Sequence, residues 1–152
     1  MSLRETLSAA VKESMKAGDK ARLSVVRMIQ AGLKDRDIEA RGNGKDPIPD
    51  AEILAMLQKM IKQTQESQDL ADKAGRADLV DQAKAEIVVL SSFLPRQMDE
   101  AETRAAIAAV VAETGAAGIK DMGKVIGVLK ERFAGQMDFG KAGPLVKQAL
   151  AG

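Results

Sequence analysis

Ser2-Leu3-Arg4-Glu5-Thr6-Leu7-Ser8-Ala9-Ala10-Val11-Lys12-Glu13-Ser14-Met15-Lys16-Ala17-Gly18 spells out a helix from its first cap to its last. Ser2 and Glu5 have the spacing of a capping box, in which the Ser2 hydroxyl accepts from the Glu5 amide and the Glu5 carboxylate returns to Ser2. Leu3, Leu7, Ala10, Val11 and Met15 recur at helical spacing, and Gly18 supplies the left-handed stop.

The same grammar continues outward. Asp19 caps a second helix with Leu23, Val26, Ile29, Leu33 and Ile38 on its apolar stripe, ended by Gly42-Asn43-Gly44. Pro47 and Pro49 make the following stretch a loop. Asp50 stands as an N-cap before Ile53, Leu57, Met60, Ile61 and Thr64. This third helix turns polar after Lys62, and Ala74-Gly75 breaks it. A fourth carries Leu79, Ala83, Ile87, Leu90 and Phe93 and stops by Leu94, because Pro95 follows. Long helices over 19–41 and 51–74, joined to neighbours by short breaks, predict antiparallel hairpins.

Residues 95–98 read as a linker, and beyond them the helices shorten. Asp99, with Glu102 three residues on, caps a fifth helix that turns Ile107, Val110 and Val111 inward and ends at Thr114-Gly115. A sixth is predicted over 120–133 on Met122, Val125, Ile126, Leu129 and Phe133, and a last short one bears Leu145, Val146, Ala149 and Leu150. The expected fold is all-α: a long-helix hairpin domain over 1–94 and a small helical bundle over 99–152.

Composition agrees. Only 2% of residues are aromatic, namely Phe93, Phe133 and Phe139, which argues for aliphatic helices rather than sheets. There is no Cys and no His. That removes disulfides, thiol nucleophiles, His- and Cys-based zinc sites, imidazole bases and Ser-His-Asp triads. The start has no apolar run, so neither a secretory signal nor a membrane anchor is expected, and a bacterial, cytoplasmic protein is the default expectation.

The net charge is +1, but it is unevenly placed. Residues 1–36 hold eight basic groups against four acidic ones. Residues 115–152 hold six, Lys120, Lys124, Lys130, Arg132, Lys141 and Lys147, against three. Gly123 and Gly127 form a G-x-x-x-G whose better reading is close helix packing, with approach of another backbone as the lesser one. Residues 135–141 come close to a phosphate-binding G-x-x-x-x-G-K-[ST] loop, but Ala142 occupies the Ser/Thr position and a structural turn is the better reading. The acidic run Asp35, Asp37 and Glu39 lacks calcium-loop spacing and reads as a solvated face. Three Phe residues are too few for base-stacking platforms, so any RNA contact would be to shape and phosphates through Lys and Arg.

Four stretches strongly resemble the YqeY-like proteins of the GatB/YqeY superfamily. They are Leu7 … Met15-Lys16 … Asp19-Lys20 … Arg22-Leu23 … Arg27-Met28, then Lys73-Ala74-Gly75-Arg76-Ala77-Asp78-Leu79, Phe93-Leu94-Pro95-Arg96-Gln97-Met98 and Lys120-Asp121-Met122-Gly123-Lys124-Val125. They occur in order over nearly the whole chain. The resemblance implies a helical hairpin domain followed by a small domain similar to the tail of the B subunit of the tRNA-dependent Asp/Glu amidotransferase. That tail helps engage tRNA, while glutamine-dependent chemistry lies in other domains, so a carbon-nitrogen ligase label would be inherited from the larger enzyme. The expectation is a non-catalytic, tRNA-associated binding module with no catalytic residue, metal or cofactor. In it Lys120, Lys124, Lys130, Arg132, Lys141 and Lys147 would meet phosphates. The alternatives are a protein-interaction adaptor, docking through the polar helix around residues 63–69, and an accessory to the amidotransferase subunits.

Overall fold

Capping chemistry sets the helix boundaries. The computed structural model of the chain describes residues 2–151, and these form seven α-helices with no strand among them. Helix α1 (Leu3–Ala17) opens on the capping box of Ser2 and Glu5 and closes on Gly18 at φ 67°. Helix α2 (Lys20–Gly42) starts where the Asp19 side chain accepts from the Arg22 amide. Then follow α3 (Asp50–Lys73), α4 (Ala77–Ser91), α5 (Glu100–Thr114), a 3-10 turn at Ile119–Asp121, α6 (Met122–Arg132) and α7 (Phe139–Ala151).

Pro49 precedes the first helical residue of α3, and Asp50 is that first residue rather than its cap. The Asp50 carboxylate accepts instead from the Leu3 amide at 3.1 Å, satisfying one of the free donors at the start of α1.

The chain divides into two compact units, Met1–Leu94 and Pro95–Gly152. In the first, α1 pairs with α2 and α3 with α4. Leu7, Val26, Ile29, Ile53, Leu57 and Leu90 are sealed in its core, with Ile48 of the α2–α3 loop and Phe93. Burying each such large side chain stabilises by about 1.5–3 kcal/mol. Met15, Ile38 and Leu79, expected on inward stripes, are instead exposed. They sit towards helix ends where no further element covers them.

In the second unit α5, α6 and α7 enclose Ile107, Val110, Val125, Leu129, Met137 and Val146. The segment read as a linker is fastened to this unit. The Met98 amide donates to the Gln136 carbonyl, the Gln97 side-chain amide to the Gly135 carbonyl, and Arg96 pairs with Glu102.

Candidate nucleic-acid interface

Helix α6 is anchored by Val125 and Leu129, which leaves its opposite face to solvent. On that face Lys120, in the 3-10 turn, Lys124 and Lys130 are exposed, with Gly123 and Gly127 between them. The turn is fixed by the Ala117 amide, which donates to Asp121 Oδ2 at 3.0 Å, and by the Asp121 amide, which donates to the Gly118 carbonyl. Lys124 Nζ also reaches the Thr114 carbonyl at 3.4 Å, where α5 ends in unpaired acceptors.

The two glycines do not pack. A Cβ added at Gly123 or Gly127 would meet no atom of a neighbouring element within 4 Å, so the expected close helix packing is overturned. Periodicity places both residues on one face without saying whether that face is covered. A solvent-facing Gly costs about 1 kcal/mol relative to Ala in a helix. Here it creates a smooth strip between lysines.

The six predicted basic residues do not form one cluster. Arg132 is paired with Glu113 at 2.6 Å. Lys147 lies one turn from Gly143, which packs towards Met122 of α6. Lys141 lies on the other flank of α7, the side on which Gln148 bonds Arg104 of α5. Lys120, Lys130, Lys141 and Lys147 make no ion pair among the described residues.

The loop at 135–141 is a structural turn. Asp138 Oδ1 accepts from the Gly140 amide at 2.9 Å and the Lys141 amide at 3.3 Å, so the chain's own carboxylate occupies the donors a phosphate would need. This cap also starts α7 at Phe139, earlier than its apolar stripe suggested.

One group escaped sequence reasoning. Asp37 is no solvated carboxylate: Arg4 grips it with both terminal nitrogens at 2.8 and 2.7 Å, and the Ile48 amide donates to it at 3.0 Å. Arg4 also donates to the Ile48 carbonyl at 3.0 Å. The guanidinium hydrogen bond foremost, then the Ile48 amide, pulls the Asp37 pKa down to about 2, against the opposing effect of burial. Among the described residues no acidic cluster could hold a metal ion, and no helix is long and apolar enough to cross a membrane.

The profile of Yqey-like proteins matches residues 4–150, almost the whole chain. The chain belongs to the YqeY-like family. It is also 28% identical over 88 residues to Altered inheritance of mitochondria protein 41, mitochondrial, of Lachancea thermotolerans. It is 31% identical over 87 residues to the protein of the same name in Pyrenophora tritici-repentis. These matches cover 58% and 57% of the chain but 46% of each relative, so this YqeY-like chain matches about half the length of those proteins. Their names overturn the expectation of a bacterial, cytoplasmic protein. That expectation rested on a start without an apolar run, which bears on secretion and anchoring only; mitochondrial targeting segments are amphipathic and Arg-rich rather than apolar.

Proposed function

We propose that this YqeY-like protein is a non-catalytic, tRNA-associated binding module whose second unit meets the phosphate backbone. The observation that carries the reading is the outer face of α6. There Lys120, Lys124 and Lys130 stand around two glycines with open space above them, so a polyanionic backbone can approach closely between charges. The family resemblance, which implies a second unit similar to the amidotransferase B-subunit tail, favours RNA as the polyanion. Arg132, tied to Glu113, and Lys141, on the far flank of α7, are secondary contributors in this arrangement.

Titration of the protein with bulk tRNA across a salt series tests the proposal. Binding should weaken with log[salt] at a slope of roughly 0.7–0.9 per phosphate neutralised. Lys124→Glu with Lys130→Glu should shallow that slope by about two contacts. Absent or salt-independent binding overturns the reading.

A further inference from the structure

Helices α3 and α4 outrun the core they help to build. Ile53, Met56 and Leu57 on α3 and Leu90 on α4 belong to that core, whereas between residues 62 and 86 only Ala71 and Ala83 are buried. Beyond Thr64 the hairpin is an arm reaching roughly 16 Å to its turn, at about 1.5 Å per residue. The arm is acidic: Glu66, Asp69, Asp72, Asp78, Asp81 and Glu86 stand against Lys73, Arg76 and Lys84, and Arg76 is already paired with Asp78. Leu70, near its tip, is 68% exposed.

The same unit carries the complementary surface. An open cleft of about 360 Å³ along α1 and α2 has Leu7 and Leu33 as its floor, and Ile38, 53% exposed, at its rim. Arg4, Lys34 and Arg41 line it. Its carboxylate, Asp37, and Arg4 neutralise each other, with the Ile48 amide also donating to Asp37, so Lys34 and Arg41 are the lining cations left to meet a partner. The Lys34 side chain makes no hydrogen bond or ion pair among the described residues, and Arg41 holds an exposed pair with Asp46 at 3.3 Å, a kind worth little and readily exchanged.

We propose that the acidic arm of one copy seats in the basic α1–α2 cleft of a second copy. Leu70 covers Ile38 and the apolar floor, while Glu66 and Asp69 face Lys34 and Arg41. Glu66 lies one helical turn from both Asp69 and Leu70, so within an arc of about 100° one exposed arm face offers an apolar anchor beside two carboxylates. That is the inverse of the cleft, an apolar floor inside a cationic rim. RNA has the wrong charge for the arm. Reciprocal exchange of arms satisfies both surfaces in a closed two-fold dimer. An arm tip in a cleft of this size makes a small contact beside the ~800 Å² per partner of a standard interface, so pairing is weak, concentration-dependent and salt-sensitive.

Sedimentation velocity on the full chain tests this. The weight-average mass should rise with concentration from the 16.1 kDa monomer towards the dimer at low salt, and the dimer should loosen at least about tenfold when salt screens the charges. Leu70→Glu should abolish pairing. Lys34→Glu/Arg41→Glu chains and Glu66→Lys/Asp69→Lys chains should each stay monomeric alone but pair when mixed, because each arm then meets a cleft of opposite charge. These positions are exposed, and unchanged helical circular dichroism certifies the fold of each variant. A chain that is monomeric at every concentration and salt overturns the proposal, whatever else the cleft then takes up. So does association that survives Leu70→Glu, or charge-reversed chains that fail to pair on mixing.

Discussion

At one end of the α3–α4 hairpin, Ile53, Met56, Leu57 and Leu90 are sealed into a core; at the other, the same two helices face each other across Ala71 and Ala83. Backbone geometry is alike at both ends, yet what maintains it differs. The core end is held by tertiary burial, whereas the arm rests on helix propensity and a narrow alanine seam. Helicity therefore says little about where stability lies, and a long regular element can be rigid at its root and expendable at its tip. The outer face of α6 repeats the lesson on a smaller scale, since Val125 and Leu129 hold the helix and the opposite side is left to other uses.

The largest expected effect tests that contrast directly. Leu57→Ala empties a fully buried site and should cost about 2–5 kcal/mol, whereas Leu70→Ala on the arm should change stability by less than about 0.5 kcal/mol. Urea unfolding of dilute protein compares the two, and equal losses would break the distinction between root and tip.

A smaller effect comes from the polar knot beside the core. Arg4→Met leaves Asp37 without its guanidinium and should cost about 1–2 kcal/mol at neutral pH. The folded pKa of Asp37, about 2, lies below the ordinary 3.8. The pair therefore stabilises fully above that ordinary value and loses its contribution as pH falls through about 2. Unfolding curves of the wild type should show this acid-side loss, and Arg4→Met should flatten it.

The smallest effect has an unusual sign. Gly127→Ala enters open space and should stabilise the second unit by up to about 1 kcal/mol, read as a rise of a few degrees in its melting temperature. If a phosphate backbone seats against α6, the same change should weaken tRNA binding. A rise in stability with unchanged affinity would move the contact away from the glycines.

Local chemistry was legible in the sequence and long-range chemistry was not. The Ser2–Glu5 and Asp99–Glu102 capping boxes and the stops at Gly18 and Gly115 depend on neighbours within a turn, and all four stand as their residue types dictate. Asp37 reads as a solvated carboxylate because its partners, Arg4 and the Ile48 amide, lie 33 and 11 residues away. Asp50 has the right residue type for a cap, but its carboxylate serves α1, 47 residues earlier. In the α6 face, periodicity located Gly123 and Gly127 together, while only the packing of α5 and α7 decided that this face stays bare. Charge counts likewise grouped six basic residues that the helices then distribute over separate flanks.

Phe93 lies buried beneath the Arg22 guanidinium, 5.9 Å from its ring centre, while Phe133 and Phe139 pack against the core of the other unit. With neither Tyr nor Trp in the chain, the protein emits nothing in the near ultraviolet that would obscure a single introduced indole. A tryptophan in place of Phe93 would report the melting of the first unit alone, and one in place of Phe139 that of the second. Each half of the molecule thus comes with its own ready position for an optical label.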